Sequence, residues 1–107
     1  MNETREWTRE HDAVIAEIEG GMLDVPNYRT DRDACFRAAD RWVAWDGEDS
    51  TARRWTVGST TERVARCAPV ERWYFATLED CDKQWHGQGW TPQAAAAWAL
   101  WEAEHGR

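Results

Sequence analysis

The chain has 107 residues, of which 42% are hydrophobic and nine are tryptophan, and its net charge is −7. This length fits one domain, residues 1–107, that buries roughly two-thirds of its unfolded surface. Residues 1–51 carry 13 acidic and 6 basic side chains, whereas residues 52–107 carry seven of each. Such a chain lacks the basic footprint for direct nucleic-acid binding, and its acidic half is either a solvated face or a docking surface for a basic protein.

The cysteines do not indicate a disulfide framework. Cys35, Cys67 and Cys81 are odd in number and widely spaced, and no C-x-x-C pair offers zinc ligands. Since we find neither a signal peptide nor a long apolar run, we expect a reduced protein in the cytoplasm of a host cell that does not insert into membranes. We predict no metal and no cofactor.

Two N-terminal helices are predicted from apolar residues at helical spacing. The first covers about Thr4 to Glu19 and ends at Gly20-Gly21. An extended connector follows from Met22 to Tyr28, because Pro26 restricts the residue before it. The second helix runs from about Asp31 to Trp45, with Thr30 as its N-cap.

After an acidic loop from Asp46 to Ala52, the pattern changes to alternation. A strand begins at Arg53 and ends at Gly58-Ser59. The segment from Thr60 to Ala68 fits either a polar edge strand or a short helical turn, and both remain open. Pro69 ends it in either case.

The strongest predicted strand runs from Val70 to Leu78. One face carries Trp73, Phe75 and Thr77. The other carries Tyr74, Ala76 and Leu78. Because both faces are largely apolar, we expect cover on both, by helices on both faces or by a helix on one and a partner on the other. A turn at Glu79–Asp82 then leads to a short antiparallel strand, Gln84–His86, which ends in a Gly87-Gln88-Gly89 turn.

A third helix closes the chain between Thr91 and Gly106. Thr91 is its expected N-cap and Pro92 its first residue, where a missing N–H costs nothing. The alanine block Ala94–Ala97 predicts close packing against the strongest strand. The fold class is therefore α+β, a small antiparallel sheet of three or four strands packed with three helices in the order ααβ(β)ββα.

Two short segments resemble a known family. Pro26-Asn27-Tyr28-Arg29-Thr30-Asp31, leading into an alanine-rich helix, resembles the P-x-Y-S-T-D opening motif of the phage ABA-sandwich domain family. Trp90–Ala97 resembles the closing T-P-x-x-A helix of the same family. The match spans about Ile15 to Ala103, whereas Asp46 to Pro69 departs from the pattern. The resemblance implies an α-β-α sandwich encoded by a bacteriophage or prophage, and it carries over no catalytic residue.

The strongest functional candidate is a recognition surface near the last strand. Aromatic side chains flanked by hydrogen-bonding groups are typical anchors of protein interfaces. The candidate anchors lie in one glycine-containing segment, namely Trp85, His86, Gln88 and Trp90. The alternative is that both indoles pack under the closing helix. The acidic docking face is assigned to Glu10, Glu17, Asp40, Glu48 and Asp49.

These features favour a non-enzymatic protein-binding module from a phage or mobile element. Its most concrete form is an anti-CRISPR-like inhibitor of a host defence complex, whose basic channel an acidic surface blocks. The alternative is an accessory phage domain that self-associates, with the tryptophans in a homodimer interface. An enzyme ranks third, because Gly87-Gln88-Gly89 is a lone G-x-G and the chain has neither a P-loop nor a nucleophile elbow.

Overall fold

A computed structural model describes residues 6–21, 23–44, 52–63 and 65–105. Its elements are α1 (Arg9–Ala16), continued by a 3-10 turn (Glu17–Glu19), α2 (Arg32–Ala44), β1 (Arg53–Glu62), β2 (Glu71–Asp80), β3 (Lys83–Gly89) and α3 (Pro92–His105). The predicted α+β class and the order ααβββα are confirmed. The acidic loop predicted at 46–52 lies outside the described residues except for Ala52.

The first helix begins later than predicted. Thr8 is its N-cap in extended backbone, and the Thr8 N–H donates to Nδ1 of His11 at 3.1 Å. Here a histidine takes the place that glutamate has in a capping box. The Trp7 indole, just before the cap, donates to the Asp12 carboxylate at 2.9 Å. At the other end Gly20, with a φ of 84°, stops the helix as predicted.

The cap of α2 is Asp31 rather than Thr30. The Asp31 carboxylate accepts the Ala34 N–H at 3.1 Å, which satisfies one of the free donors of the first turn. Thr30 instead belongs to the preceding turn, where its N–H donates to the Asn27 carbonyl. The predicted last residue, Trp45, lies outside the described residues.

The sheet has the strand order β1-β2-β3, and both neighbouring pairs are antiparallel. β1 continues through Gly58 to Glu62, so the ambiguous segment 60–68 is strand in its first part. Ala65 to Ala68 form a turn closed by the Ala68 N–H and the Ala65 carbonyl, 3.0 Å apart. The predicted stop at Gly58-Ser59 is wrong, because Phe75 pairs with Gly58 and its ring fills the space of the missing side chain.

The described helices cover only one face of this sheet. The residues of β2 that are buried, Ala76 and Leu78, point to the helices, as do their cross-strand partners on β1 and β3. The opposite face of β2 carries Phe75, which is 41% exposed. The three-layer α-β-α arrangement is therefore not present among the described residues, whose helices and strands form two layers.

Helix α3 lies directly on β3 at Gly87. A Cβ added at Gly87 would stand 2.2 Å from the Ala95 carbonyl oxygen and 2.5 Å from the Ala99 nitrogen. Helix backbone and strand backbone therefore touch without a side chain between them. The Gly87-Gln88-Gly89 turn predicted from the sequence is wrong: these residues are the end of β3, and both glycines are buried towards the helix.

Replacing Gly87 with alanine should destabilise the fold by about 3 kcal/mol or more, because the new methyl group meets backbone atoms that cannot rotate away. Gly58→Ala is the matched control, since its nearest neighbour is the tip of the Phe75 ring at 2.8 Å. That ring is at the surface and can turn, so the expected cost is about 1 kcal/mol, the low end for an inserted methyl group. Urea unfolding measures both values, and equal losses would contradict the backbone contact.

The core also predicts which cysteines react. Cys35 is buried, and its thiol donates to the Gln93 carbonyl at 3.4 Å, whereas Cys67 and Cys81 are exposed. Burial, followed by the charge of Asp31, raises the pKa of Cys35 to about 12. Iodoacetamide at about pH 8 should therefore modify two cysteines of the native protein, and all three only in denaturant. Mass spectrometry of the digested protein identifies which cysteines are alkylated.

The raised pKa of Cys35 also predicts that the folded protein loses stability at alkaline pH. Its stabilising contribution is complete below the ordinary thiol pKa, and it is lost as the pH rises towards 12. Native modification of Cys35 as fast as that of Cys81 would contradict the buried position.

Candidate binding face on the sheet

The sheet face away from the helices is an open surface built from alternate residues of all three strands. The cross-strand register sets its residues in rows: Thr60 with Trp73; Gly58, Phe75 and Gln88; Thr56, Thr77 and His86; Arg54, Glu79 and Gln84. We call these residues, with Trp90, the open face. Its composition is unusual for a solvent-facing sheet, because aromatic residues follow each other on the central strand.

Three aromatic side chains form a stripe on the open face. The rings of Trp73 and Phe75 meet edge to face with their centroids 6.1 Å apart. Trp90 directly follows the end of β3 and lines the same concavity as Trp73. Trp90 is 51% exposed and Phe75 is 41% exposed. Apolar rings grouped in this way are typical of a surface that another molecule covers.

The glycine at position 58 explains how the Phe75 ring lies. The three atoms at the end of the ring come within 2.8 to 3.4 Å of where a Cβ of Gly58 would stand, so the ring reaches over the neighbouring strand. A larger residue at 58 would lift the ring from the sheet. Glycine inside a strand often marks such a close approach.

At one end of the stripe lies a concavity of about 310 Å³. Its lining residues are Glu62, Glu71, Trp73, Gln88 and Trp90. Glu62 and Glu71 are direct cross-strand partners. Within the described part of the chain neither of them forms an ion pair. The concavity thus combines two indole rings with two carboxylates.

The other end of the open face is polar and paired. Arg54 donates to Glu79 across the strands at 2.6 Å. In the middle, the Thr77 hydroxyl lies 3.2 Å from Nδ1 of His86. An aromatic centre bordered by hydrogen-bonding and charged groups is the usual layout of a protein interface.

The four predicted recognition residues do not form one patch. His86, Gln88 and Trp90 belong to the open face, whereas Trp85 points to the helices. Trp85 packs edge to face on the buried Trp42, with centroids 6.0 Å apart. The strand alternation makes this necessary: residues 85, 87 and 89 share one face, and 86 and 88 share the other. The assignment of Trp85 to the exposed patch is therefore wrong.

The predicted acidic face is spread over the helical layer. Glu10 and Glu17 are exposed on α1 and its 3-10 continuation. Asp40 accepts a hydrogen bond from the Trp55 indole at 3.0 Å, so it ties α2 to β1. Glu48 and Asp49 lie outside the described residues. None of the described acidic residues of this set borders the open face.

Sequence reasoning missed Trp73, Phe75, Glu62 and Glu71 as site residues. The apolar character of both faces of Val70–Leu78 was the available signal, and it indicated a covering partner as one option. The two glutamates could not be linked from the sequence, because their pairing depends on the register across the long β1–β2 connection.

Titratable groups in the helical layer hold the fold together. The buried Asp12 carboxylate accepts hydrogen bonds from the Trp7 indole, the Tyr28 N–H and Arg9, each at 2.9 Å. A second network centres on Glu19, which is bound at 2.5 Å by both Arg37 Nε and the Tyr28 hydroxyl. The carboxylates of Asp12 and Glu19 therefore both have hydrogen-bond partners within the protein.

The hydrogen bonds to Glu19 shift pKa values in opposite directions. Burial disfavours the charged form of Glu19, but Arg37 and Tyr28 outweigh it and hold the pKa of Glu19 below its ordinary value. Burial and the bond to Glu19 raise the pKa of Tyr28 well above its ordinary range. Both shifts favour the bonded pair near neutral pH.

Comparison with known protein families, curated proteins and solved structures gave no match. The resemblance to the phage ABA-sandwich family therefore stays a prediction from two short segments. Within residues 6–21, 23–44, 52–63 and 65–105, no three His, Cys, Asp or Glu side chains come together as metal ligands do. No helix of that part of the chain is long and apolar enough to cross a membrane.

The depressed pKa of Glu19 predicts a specific acid sensitivity. Its stabilising contribution is complete above the ordinary glutamate pKa and is lost as the pH falls through the lower, folded-state pKa. Glu19→Gln should therefore lose less stability than the wild type between about pH 5 and pH 3. Urea midpoints at several pH values measure this difference.

The control for Glu19→Gln is Glu17→Gln, on the same turn but exposed. It should keep the acid sensitivity of the wild type. If both variants respond to pH alike, the Glu19 network does not supply the effect.

Proposed function

We propose that this protein is a non-enzymatic binding module that docks on a protein partner through the open face of its sheet. The observation that carries the proposal is the aromatic stripe of Trp73, Phe75 and Trp90 on a face that no described helix covers. Burying such rings supplies most of the energy of typical protein interfaces.

The charge of the chain supports a basic partner. The protein has a net charge of −7, and acidic surfaces accelerate encounter with positively charged ones. The most concrete version remains inhibition of a host defence complex by blocking a channel that otherwise holds nucleic acid. In this version Glu10 and Glu17 steer the encounter from the helical layer, and the open face makes the contact.

Self-association is the second candidate, and the same face would serve it. The open face is bordered by Gln84 and Arg54 on its outer strands, whose edges are unpaired by any described strand. A two-fold dimer would bury the aromatic stripe of each copy against the other. Light scattering during size-exclusion chromatography separates the candidates, because a monomer at all concentrations contradicts the dimer.

Site-specific crosslinking tests which surface meets the partner. We expect a photoreactive residue at Thr77 on the open face to crosslink one protein in cells, while the same residue at Glu17 on the helical layer does not. The crosslinked protein is identified by mass spectrometry and purified. Its affinity is then compared between the wild type and a Phe75→Thr/Trp90→Thr variant, with an expected loss of at least about tenfold.

The matched control exchanges the exposed Leu23 for threonine, because Leu23 is a large apolar residue outside the open face. It should leave the affinity unchanged. Equal affinity of the Phe75→Thr/Trp90→Thr variant, or crosslinking from Glu17 alone, would move the contact to the helical layer and contradict the proposal.

A further inference from the structure

We infer that the concavity formed by Glu62, Glu71, Trp73, Gln88 and Trp90 receives an arginine side chain of the protein partner. This inference rests on the proposed function, because it names the chemistry by which the open face recognises its partner. It adds one defined contact: a guanidinium held between two indoles and two carboxylates.

The first argument is the pairing of Glu62 with Glu71. Like charges directly opposite each other on neighbouring strands repel and cost stability. Elsewhere on the same sheet the carboxylates have basic partners: Glu79 binds Arg54 at 2.6 Å and Asp80 binds Arg53 at 3.1 Å. The Glu62–Glu71 pair has no such cation within the described residues, so a cation from another molecule would relieve the repulsion.

The second argument is the pair of indoles beside these carboxylates. Trp73 lies on the open face next to Glu71, and Trp90, which is 51% exposed, lines the same concavity. The face of an indole attracts a cation within about 6 Å, more strongly than other aromatic rings do. This protein already uses the contact internally, since the Arg53 guanidinium lies 4.4 Å from the centre of the Trp42 ring.

The geometry favours arginine over a compact ammonium ion. A guanidinium is planar, so one face can stack on an indole while its edge donates to two carboxylates. The internal example combines the same elements: Arg53 stacks on Trp42, donates to Asp80 and donates to the Trp42 carbonyl at 2.9 Å. In the concavity, the Gln88 side chain adds an amide group beside the carboxylates.

The test titrates the ¹⁵N-labelled protein with N-acetyl-arginine amide and follows the tryptophan indole N–H signals by NMR. We expect saturable shifts of the Trp73 and Trp90 signals. N-acetyl-citrulline amide has nearly the same shape without the charge, and it should bind at least about tenfold more weakly. Spermidine tests whether a flexible cation without a guanidinium group suffices. We expect it to bind no more tightly than the arginine probe.

Matched variants separate the concavity from the general charge of the protein. Glu62→Gln/Glu71→Gln should weaken arginine binding about tenfold, whereas Asp24→Asn/Asp33→Asn makes the same charge change at exposed positions outside the open face and should have little effect. Trp90→Leu is a second variant that removes an indole and leaves both carboxylates, with an expected loss of about threefold or more.

Several results would overturn the inference. They are equal binding of arginine and citrulline probes, tighter binding of spermidine, shifts confined to other tryptophans, and equal weakening by the two double variants that each remove two carboxylates. The proposed function is judged separately, by the Phe75→Thr/Trp90→Thr affinity for the crosslinked partner. If that affinity falls while Glu62→Gln/Glu71→Gln binds the partner normally, docking by the open face stands and the arginine contact is wrong.

Discussion

The contact between the α3 backbone and Gly87 is the constraint on which the rest of the structure depends. With the Ala95 carbonyl only 2.2 Å from where a Cβ would stand, the helix has no room for a large side chain towards β3. Ala95 and Ala99 supply the backbone atoms of this contact, and the Cβ of Trp98 lies 2.9 Å from the same point. From there the Trp98 ring extends to the rings of Trp7 and His11.

The rings of Trp98 and Trp101 hold α1 against α3, and α1 has few contacts with the sheet. Trp98 meets the Trp7 ring edge to face at 4.9 Å, and His11 lies among Trp7, Trp98 and Trp101 with centroids 4.9 to 5.2 Å away. Asp12 then binds the Trp7 indole and the Tyr28 backbone, so the connector is fixed to the same helix. Helix α3 is thus enclosed by the sheet on one side and by α1 and α2 on others, which is why it is apolar around most of its circumference.

The sequence predicted the element order and most element positions, because the change from helical spacing to alternation is a local signal. It did not predict which face of β2 is covered, since alternation separates the faces of a strand without saying where the helices lie. The same gap explains the error at Gly87, where glycine looked like a turn although it serves a close helix contact. For the same reason the sequence did not show which of Trp85 and Trp90 is buried. Alternation puts successive residues of β3 on opposite faces, but the side on which the helices lie decides which face is buried. The Glu62–Glu71 pair depends on a register across eight intervening residues, and no local pattern fixes it.

The distribution of the tryptophans supports the proposal that the open face docks on a partner. On the helix side each described indole has a structural neighbour: Trp55 donates to Asp40, Trp42 stacks with Arg53, and Trp85 packs on Trp42. No helix of the described residues covers Trp73 or Trp90, and threonine, glutamine and histidine surround the stripe. An apolar centre with a polar border lets the free protein stay in water and still offers area to bury. In the proposed interface, the two carboxylates beside the indoles would add selectivity, because an apolar patch alone accepts many surfaces whereas this one would favour a surface that presents a cation.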